Sequence, residues 1–390
     1  MATNGNLYGT AFWGGTSNYG TIFEIAKSGE VDTLYNFCAP SSCTDGHQPF
    51  AGLTQAADGS FCGTTGYGGR AGYCTFSGGC GTVFKITPEG VLTTLYSFCA
   101  QPGCADGEGP VGSLVQATDG NFYGATVYGG SSCEGDGCGT LFKITSEGTL
   151  TTLYSFHDTD GFVPNGGLVQ ATDGNLYGTT SLGGTQGVGT LFRITLQGGL
   201  TTLYNFCAQT GCTDGRAPSG ALIQATDGNF YGVTSFGGDS PGNGGGTVFQ
   251  FSAGGILTTL HSFDGADGIT PVGGLLQATS GIFYGTTSQG GDLSCLHHVG
   301  CGTVFSLSTG LTPFVSFVRN PAKVGQTFGV LGQGFTGTAS VSLNGISANF
   351  TVVSDTLIKA TVPAGATTGY VTVATPSGTL TSNVPFHLIP

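Results

Sequence analysis

The side chains best suited to chemistry recur at fixed places in this sequence. Five Asp-Gly pairs, each with a proline four residues after the aspartate, stand at Asp45, Asp106, Asp160, Asp214 and Asp267. A ring of carboxylates would bind Ca²⁺ or sugar hydroxyls. The alternative is an Asx-type turn, in which each side chain bonds its own backbone. Ca²⁺ takes about 6–8 oxygen ligands. Each loop offers few and no EF-hand spacing is present, so no cofactor is expected and Ca²⁺ is the one ion left open. The two positions after each Asp-Gly vary: His47/Gln48, Glu108/Gly109, Phe162/Val163, Arg216/Ala217 and Ile269/Thr270. Such variation reflects either asymmetric ligand contacts or absence of constraint. Aromatic residues precede a Gly-Gly pair at Trp13, Tyr67, Tyr128 and Phe236. Their rings would stack on sugar faces, or else pack between structural units. The candidate ligand-binding set is therefore these four aromatics, His47, Glu108, Arg216 and the five aspartates.

Cysteine supplies the next pattern. Twelve of the 13 fall into close pairs: Cys38/Cys43, Cys74/Cys80, Cys99/Cys104, Cys133/Cys138, Cys207/Cys212 and Cys295/Cys301. Each pair can close a local disulfide, which implies an oxidising compartment. The rival is zinc, whose sites usually need two such pairs to meet in space. Cys62 is left over, inside a strand-like run, and is expected to be a buried free thiol rather than a reactive one. Gly238–Gly242 reads G-D-S-P-G, but a Ser240 nucleophile would need a strand-turn-helix setting. His297 and His298 lie between Cys295 and Cys301 without identifiable partners and read as exposed loop histidines. No catalytic residue and no metal site is assigned.

The elements that hold these residues are strands. Of 390 residues 74 are glycine and only 8% are charged. Glycine costs about 1 kcal/mol at a helix-interior position relative to alanine, and no three-residue collagen period exists. Regular apolar runs argue against disorder. Net charge is −13, with nine basic residues scattered along the chain. Nucleic acid and anionic membrane surfaces require a basic footprint, so neither is an expected partner. No run of 18 apolar residues is present, so no transmembrane segment is expected.

A six-residue core, D-G-x-x-Y-G in its full form, recurs at residues 4–9, 58–63, 119–124, 173–178, 227–232 and 280–285. Cys62 replaces the tyrosine in the second copy. Each unit holds four strand-like runs, as in GLVQAT, NLYGTTS, GTLFRIT and LTTLYNF between Gly167 and Phe206. Asp-Gly between the first two runs reads as a two-residue hairpin turn. The expected fold is all-β: a β-propeller of about six four-stranded blades over residues 1–312. A solenoid is the competitor, with shorter repeats and parallel strands. The first unit lacks its first run, and no signal peptide is visible. Both point to an upstream sequence that is missing. Residues 313–390 lack cysteine and read as a small Ig-like β-sandwich.

The blocks ATDGNLYGTT, GTLFKIT and LTTLYSF, in that order, resemble the GloVer-type tandem repeat of "choice-of-anchor" proteins over about residues 3–312. The Gly-Gly after the second run is also reminiscent of kelch repeats. The tail, through Gly325–Phe335, Val341–Gly345 and Leu357–Val373, resembles an IPT/TIG domain. These resemblances imply an extracellular or cell-surface protein, with a spacer or interaction module at its C-terminal end. In such blades the loops joining runs four to one and two to three share one end. Here those loops are long, variable and cysteine-bearing, so that face is the candidate for binding. The expected function is non-enzymatic binding or display of a glycan or protein ligand. The alternatives are a polysaccharide hydrolase or lyase, which would need a close acid and base pair, and a structural module of a larger surface protein. Oligomeric state is left open.

Overall fold

The computed structural model describes residues 2, 5–38, 42–56, 58–70, 78–131, 133, 137–239, 244–292, 294, 300–318 and 322–388. The fold is all-β, and two single 3₁₀ turns at Pro102–Cys104 and Thr210–Cys212 are the helical elements among the described residues. No helix there is long and apolar enough to cross a membrane.

Six antiparallel sheets follow one another along the chain. The first holds Leu7–Ala11, Thr21–Ile25 and Val31–Asn36. The fourth holds Val169–Gln170, Leu176–Thr180, Thr190–Ile194 and Leu200–Asn205 in that order. The other complete sheets repeat it. In the second and fourth units the first strand, Thr54–Gln55 and Val169–Gln170, is shorter than the GLVQAT run suggests, whereas in the fifth it extends over Arg216–Gln224. In the third unit it is two pieces, Glu108–Pro110 and Val115–Gln116, both pairing with Phe122–Tyr128. Proline has no N–H to give a ladder, which confines it to such interruptions.

Between consecutive sheets lies one apolar layer. Ile22 and Phe37 of the first unit meet Phe61, Phe84 and Ile86 of the second. Val83 and Phe98 of the second meet Phe122, Phe142 and Ile144 of the third. The pattern continues to Val248 and Phe263 against Leu275 and Phe283. This serial stacking is a β-propeller-like repeat fold. Its glycines have separate causes. Gly124 pairs across the ladder with Phe142, whose ring covers it: a Cβ there would lie 2.6 Å from Phe142 Cζ. Gly63, Gly178 and Gly232 stand in the same relation to Phe84, Phe192 and Phe249.

Two expectations are corrected. The hairpin turn has three residues, not two. Ala117 N–H bonds Asn121 O, Gly120 N–H bonds Ala117 O, and Gly120 alone has positive φ, at 83°. A two-residue type I′ turn needs positive φ at both central residues, whereas a type I turn followed by a left-handed glycine needs one. Asp119 accepts from the Asn121 N–H and side-chain amide and from the Tyr123 hydroxyl at 2.8–3.1 Å, which holds this form. Secondly, the sixth unit has no fourth strand beside Val304–Leu307. Its counterpart carries Pro313 in place of a repeat threonine. Phe314 N–H bonds Thr279 O and Val315 N–H bonds Thr381 O, while Ser316–Phe317 pairs with Thr327–Leu331. A proline without an N–H cannot fill the ladder, and the chain leaves the sheet.

The C-terminal residues form two four-stranded sheets. One is ordered Ser316–Phe317, Thr327–Leu331, Leu357–Thr361, Phe350–Ser354. The other is Ile346–Ser347, Ser340–Leu343, Val371–Thr375, Gly378–Thr381. Phe328, Phe335, Val341, Ile358, Val373 and Phe386 are buried between them.

Gly124→Ala is expected to destabilise the protein by about 1–3 kcal/mol, the cost of overpacking a filled site. Urea unfolding of Gly124→Ala measures it. Adding Phe142→Leu, which withdraws the ring, should recover part of the loss relative to Phe142→Leu alone.

Candidate functional site

The loop aspartates are fixed first. Tyr96 Oη donates to Asp106 Oδ2 at 2.8 Å, and the N–H groups of Ala100 and Gln101 donate to the same carboxylate at 2.9 and 3.1 Å. Asp214 repeats this with Tyr204, Ala208 and Gln209. Asp160 takes Tyr154 and His157 N–H, and Asp45 takes Tyr35 at 2.9 Å. In the last loop His261 replaces tyrosine, with Nε2 2.6 Å from Asp267. Burial raises the Asp267 pKa, but the Asp264 N–H and His261 outweigh it and hold the carboxyl below its ordinary range. Each of these carboxylates is thus engaged from the preceding strand, and Asp106, Asp160, Asp214 and Asp267 also by N–H donors of their own loops.

The glycine after each aspartate seats the loop on the next unit. Gly107 has φ 102° and faces the paired hydroxyls of Thr126 and Thr140, which lie 2.8 Å apart. The same threonine pair recurs as Thr65/Thr82, Thr180/Thr190, Thr234/Thr247 and Thr287/Thr303 at 2.8–2.9 Å. Tyrosine and threonines belong to successive units, so each Asp-Gly clips one sheet to the next.

Disulfides close the loops at Cys38–Cys43, Cys99–Cys104, Cys133–Cys138 and Cys207–Cys212. Cys80 and Cys301 are also disulfide-bonded; Cys74 and Cys295 lie outside the described residues, as do Ser240, His297 and His298. The second cysteine of a loop accepts from the following Gly-Gly: Gly69, Gly130 and Gly238 N–H bond the carbonyls of Cys43, Cys104 and Cys212 at 2.9–3.0 Å. Sulfurs of Cys80, Cys99 and Cys104 lie within 4.8 Å of one another, but disulfide sulfur offers no thiolate to a metal. Cys62 is free and buried, and burial pushes its thiol up to about 12.

With the loops fixed, two sets of candidate residues become cross-strand neighbours. His47 pairs with Tyr67, Glu108 with Tyr128, and Arg216 with Phe236. Arg216 lies 5.6 Å over the Phe236 ring. The fourth and sixth units place Phe162 opposite Leu182 and Ile269 opposite Gln289. The aromatic content therefore concentrates on units one to three. There the Phe12 ring lies 4.9 Å from Trp13 and 4.5 Å from Phe50, and His47 sits between Tyr19 and Tyr67. Trp13 is 58% exposed and Phe50 50%. His47 is buried, donates from Nε2 to the Gly78 carbonyl oxygen at 3.1 Å, and its Nδ1 has no partner. Burial lowers its pKa, which favours the neutral ring.

Beside this shelf a cleft of about 180 Å³ runs between units two and three, lined by Phe50, Tyr67, Glu108, Val111, Val127 and Tyr128. Phe12, Tyr19 and Phe50 are the members that motif reading missed. Phe50 had a signal: it follows Pro49, where the other copies carry Val111, Asn165, Ser219 and Val272.

The Gloeobacter/Verrucomicrobia repeat profile matches residues 1–172 and 134–353. The chain belongs to this repeat family. No curated protein matches it. Among solved structures it is similar to a fungal alcohol oxidase of the AA5 family in complex with copper, at 13% identity, 98% of this chain, 94% of that chain and TM-score 0.43. It is also similar to a gluconolactonase from Xanthomonas campestris, at 12% identity, 71% and 82% coverage and TM-score 0.41. A third is an auxiliary nutrient binding protein from Bacteroides ovatus, at 13%, 73%, 65% and 0.43. Likeness at this level carries no argument about activity.

Tyr154 ionises late because burial and the Asp160 carboxylate push its phenol up to about 12. A folded-state pKa raised above the unfolded value of about 10 stabilises fully below pH 10, and that contribution is lost as pH rises through the folded value. Tyr154→Phe is therefore expected to cost about 1 kcal/mol at neutral pH and to flatten the stability profile measured between pH 10 and 12. Ellman's reagent should find Cys62 unreactive in the native protein and reactive after denaturation without reductant.

Proposed function

We propose that this chain is a non-enzymatic extracellular or cell-surface binding module that holds a neutral glycan. In this reading residues 1–312 are a propeller of about six blades with the first incomplete. Residues 313–390 are an IPT/TIG-type Ig-like spacer. The observation that carries the proposal is the shelf of exposed Trp13, Tyr19 and Phe50 packed with half-buried Phe12 and Tyr67 around the buried His47 ring, bordering the Glu108–Tyr128 cleft. Sugar rings present apolar C–H faces and equatorial hydroxyls. Trp13 and Phe50, both exposed, would take the faces. Loops tied by disulfides lose little further entropy on binding, and paired cysteines fit an oxidising compartment. The aspartates Asp45, Asp106, Asp160, Asp214 and Asp267 serve in this reading as loop supports rather than ligand contacts.

Affinity electrophoresis and calorimetry against soluble β-glucan, galactomannan and xylan test the proposal. Binding of at least one is expected without release of reducing sugar. Trp13→Ala or Phe50→Ala should weaken it by about 1–2 kcal/mol, roughly 5–30-fold, and Phe236→Ala should leave it unchanged. Failure of all three to bind, or binding indifferent to Trp13 and Phe50, would overturn it.

A further inference from the structure

A second cleft, of about 420 Å³, lies at the opposite end of the strands from the shelf, where turns of the fourth and fifth units meet the C-terminal sheets. Small-molecule sites usually measure about 300–1,000 Å³. Three stretches of chain wall it. Thr172 and Thr226 come from the turns between first and second strands. Thr312 belongs to the segment that Pro313 diverts out of the sixth sheet. Tyr370, Thr379, Thr381 and Asn383 come from the C-terminal sheets and their connections.

The strand pattern aims these side chains. Gly378–Thr381 is the edge strand of its sheet, and Leu380 packs into the core between the two sheets. Side chains alternate along a strand, so Thr379 and Thr381 turn outward together. Thr381 pairs with Thr372, and Tyr370, two residues before Thr372, shares that outer face. Tyr370 is 48% exposed. The hydroxyls of Thr312, Tyr370, Thr379 and Thr381 have no partner among the described residues, whereas the threonine pairs of the blades bond each other at 2.8–2.9 Å. Half-buried Asn383 has a side-chain oxygen that meets no donor. An acceptor left in that state costs about 1–3 kcal/mol, and turning the amide toward a donor held in the cleft relieves it.

No charged side chain is among the described residues that line this cleft. Asp173 and Asp227 each follow a lining threonine, and their carboxylates are taken by Asn175 and Tyr177 and by Asn229 and Tyr231. They disfavour an anion nearby, and with their own donors in place they form no cation site. Uncharged hydroxyls beside an exposed ring match a sugar, whose hydroxyls both donate and accept and whose C–H faces stack on a ring. We propose that this cleft is a second binding site, for a neutral saccharide of one or two rings, separate from the aromatic shelf and independent of it. The bound sugar bridges the repeat units to the C-terminal sheets.

Saturation-transfer NMR titrations of the full chain with glucose, maltose, cellobiose and glucuronate test this. At least one of the three neutral sugars is expected to bind, and glucuronate is not. Tyr370→Ala should weaken binding roughly tenfold, the loss of one ring contact. Thr381→Val should weaken it about 2–10-fold, the net worth of one hydrogen bond. Both side chains are exposed, and thermal melting checks that the variants fold. Failure of all three neutral sugars to bind would overturn the proposal, whatever the polysaccharides do at the shelf. So would glucuronate binding as tightly as glucose, or affinity indifferent to Tyr370→Ala. A signal lost in Trp13→Ala and kept in Tyr370→Ala belongs to the shelf and equally overturns it.

Discussion

The fold depends on how one sheet is fastened to the next, and the fastening is the Asp-Gly clip. A tyrosine hydroxyl from the fourth strand of one unit, or His261 in the last loop, reaches the carboxylate. The glycine beside it sits on the two threonine hydroxyls of the following unit. A buried carboxylate is costly unless donors surround it, and Asp106 and Asp214 are fully buried with three donors each. The clip therefore fixes loop position as well as sheet spacing. Apolar layers alone are non-directional. The polar clips supply the register between successive units.

What the clips fix, the loops can vary. Because the aspartate holds the loop base, the next residue is free to be His47, Glu108, Phe162, Arg216 or Ile269 without disturbing the sheet. The disulfides and the Gly-Gly amides that bond the second cysteine's carbonyl hold the other side of the loop. A uniform scaffold thus carries a non-uniform face, and the aromatic rings gather over units one to three. A flexible loop would have to lose entropy to present such a shelf. Here the ordering is built into the fold.

The Cys62 substitution shows how tolerant the outer turn is by comparison. Where Tyr123 anchors Asp119, Cys62 cannot donate in the same way. Asp58 instead takes Ser60 and the Lys85 ammonium, which together hold its carboxyl down to about 2. The pair is partly exposed, so its contribution is small. The turn keeps its shape through the Asx bond, which needs no tyrosine.

Much of the fold was legible because the repeat states it six times. Alternating apolar residues, glycines at fixed places and cysteine pairs five or six residues apart depend on near neighbours in sequence, and they determined the all-β class, the strand order within a unit and the elaborated face. Three things were not legible. The three-residue turn depends on the sign of one φ angle, which Asp-Gly by itself does not specify. Pro313 could be read as a strand breaker only once the C-terminal sheets offered Ser316–Phe317 another partner. The aromatic shelf joins residues from different repeats, Trp13 with Phe12 and Phe50, and Tyr19 with His47 and Tyr67. The sequence by itself determined which positions vary. Tertiary structure decided which of them meet, because proximity between units is set by the clips and the packed layers and not by distance along the chain.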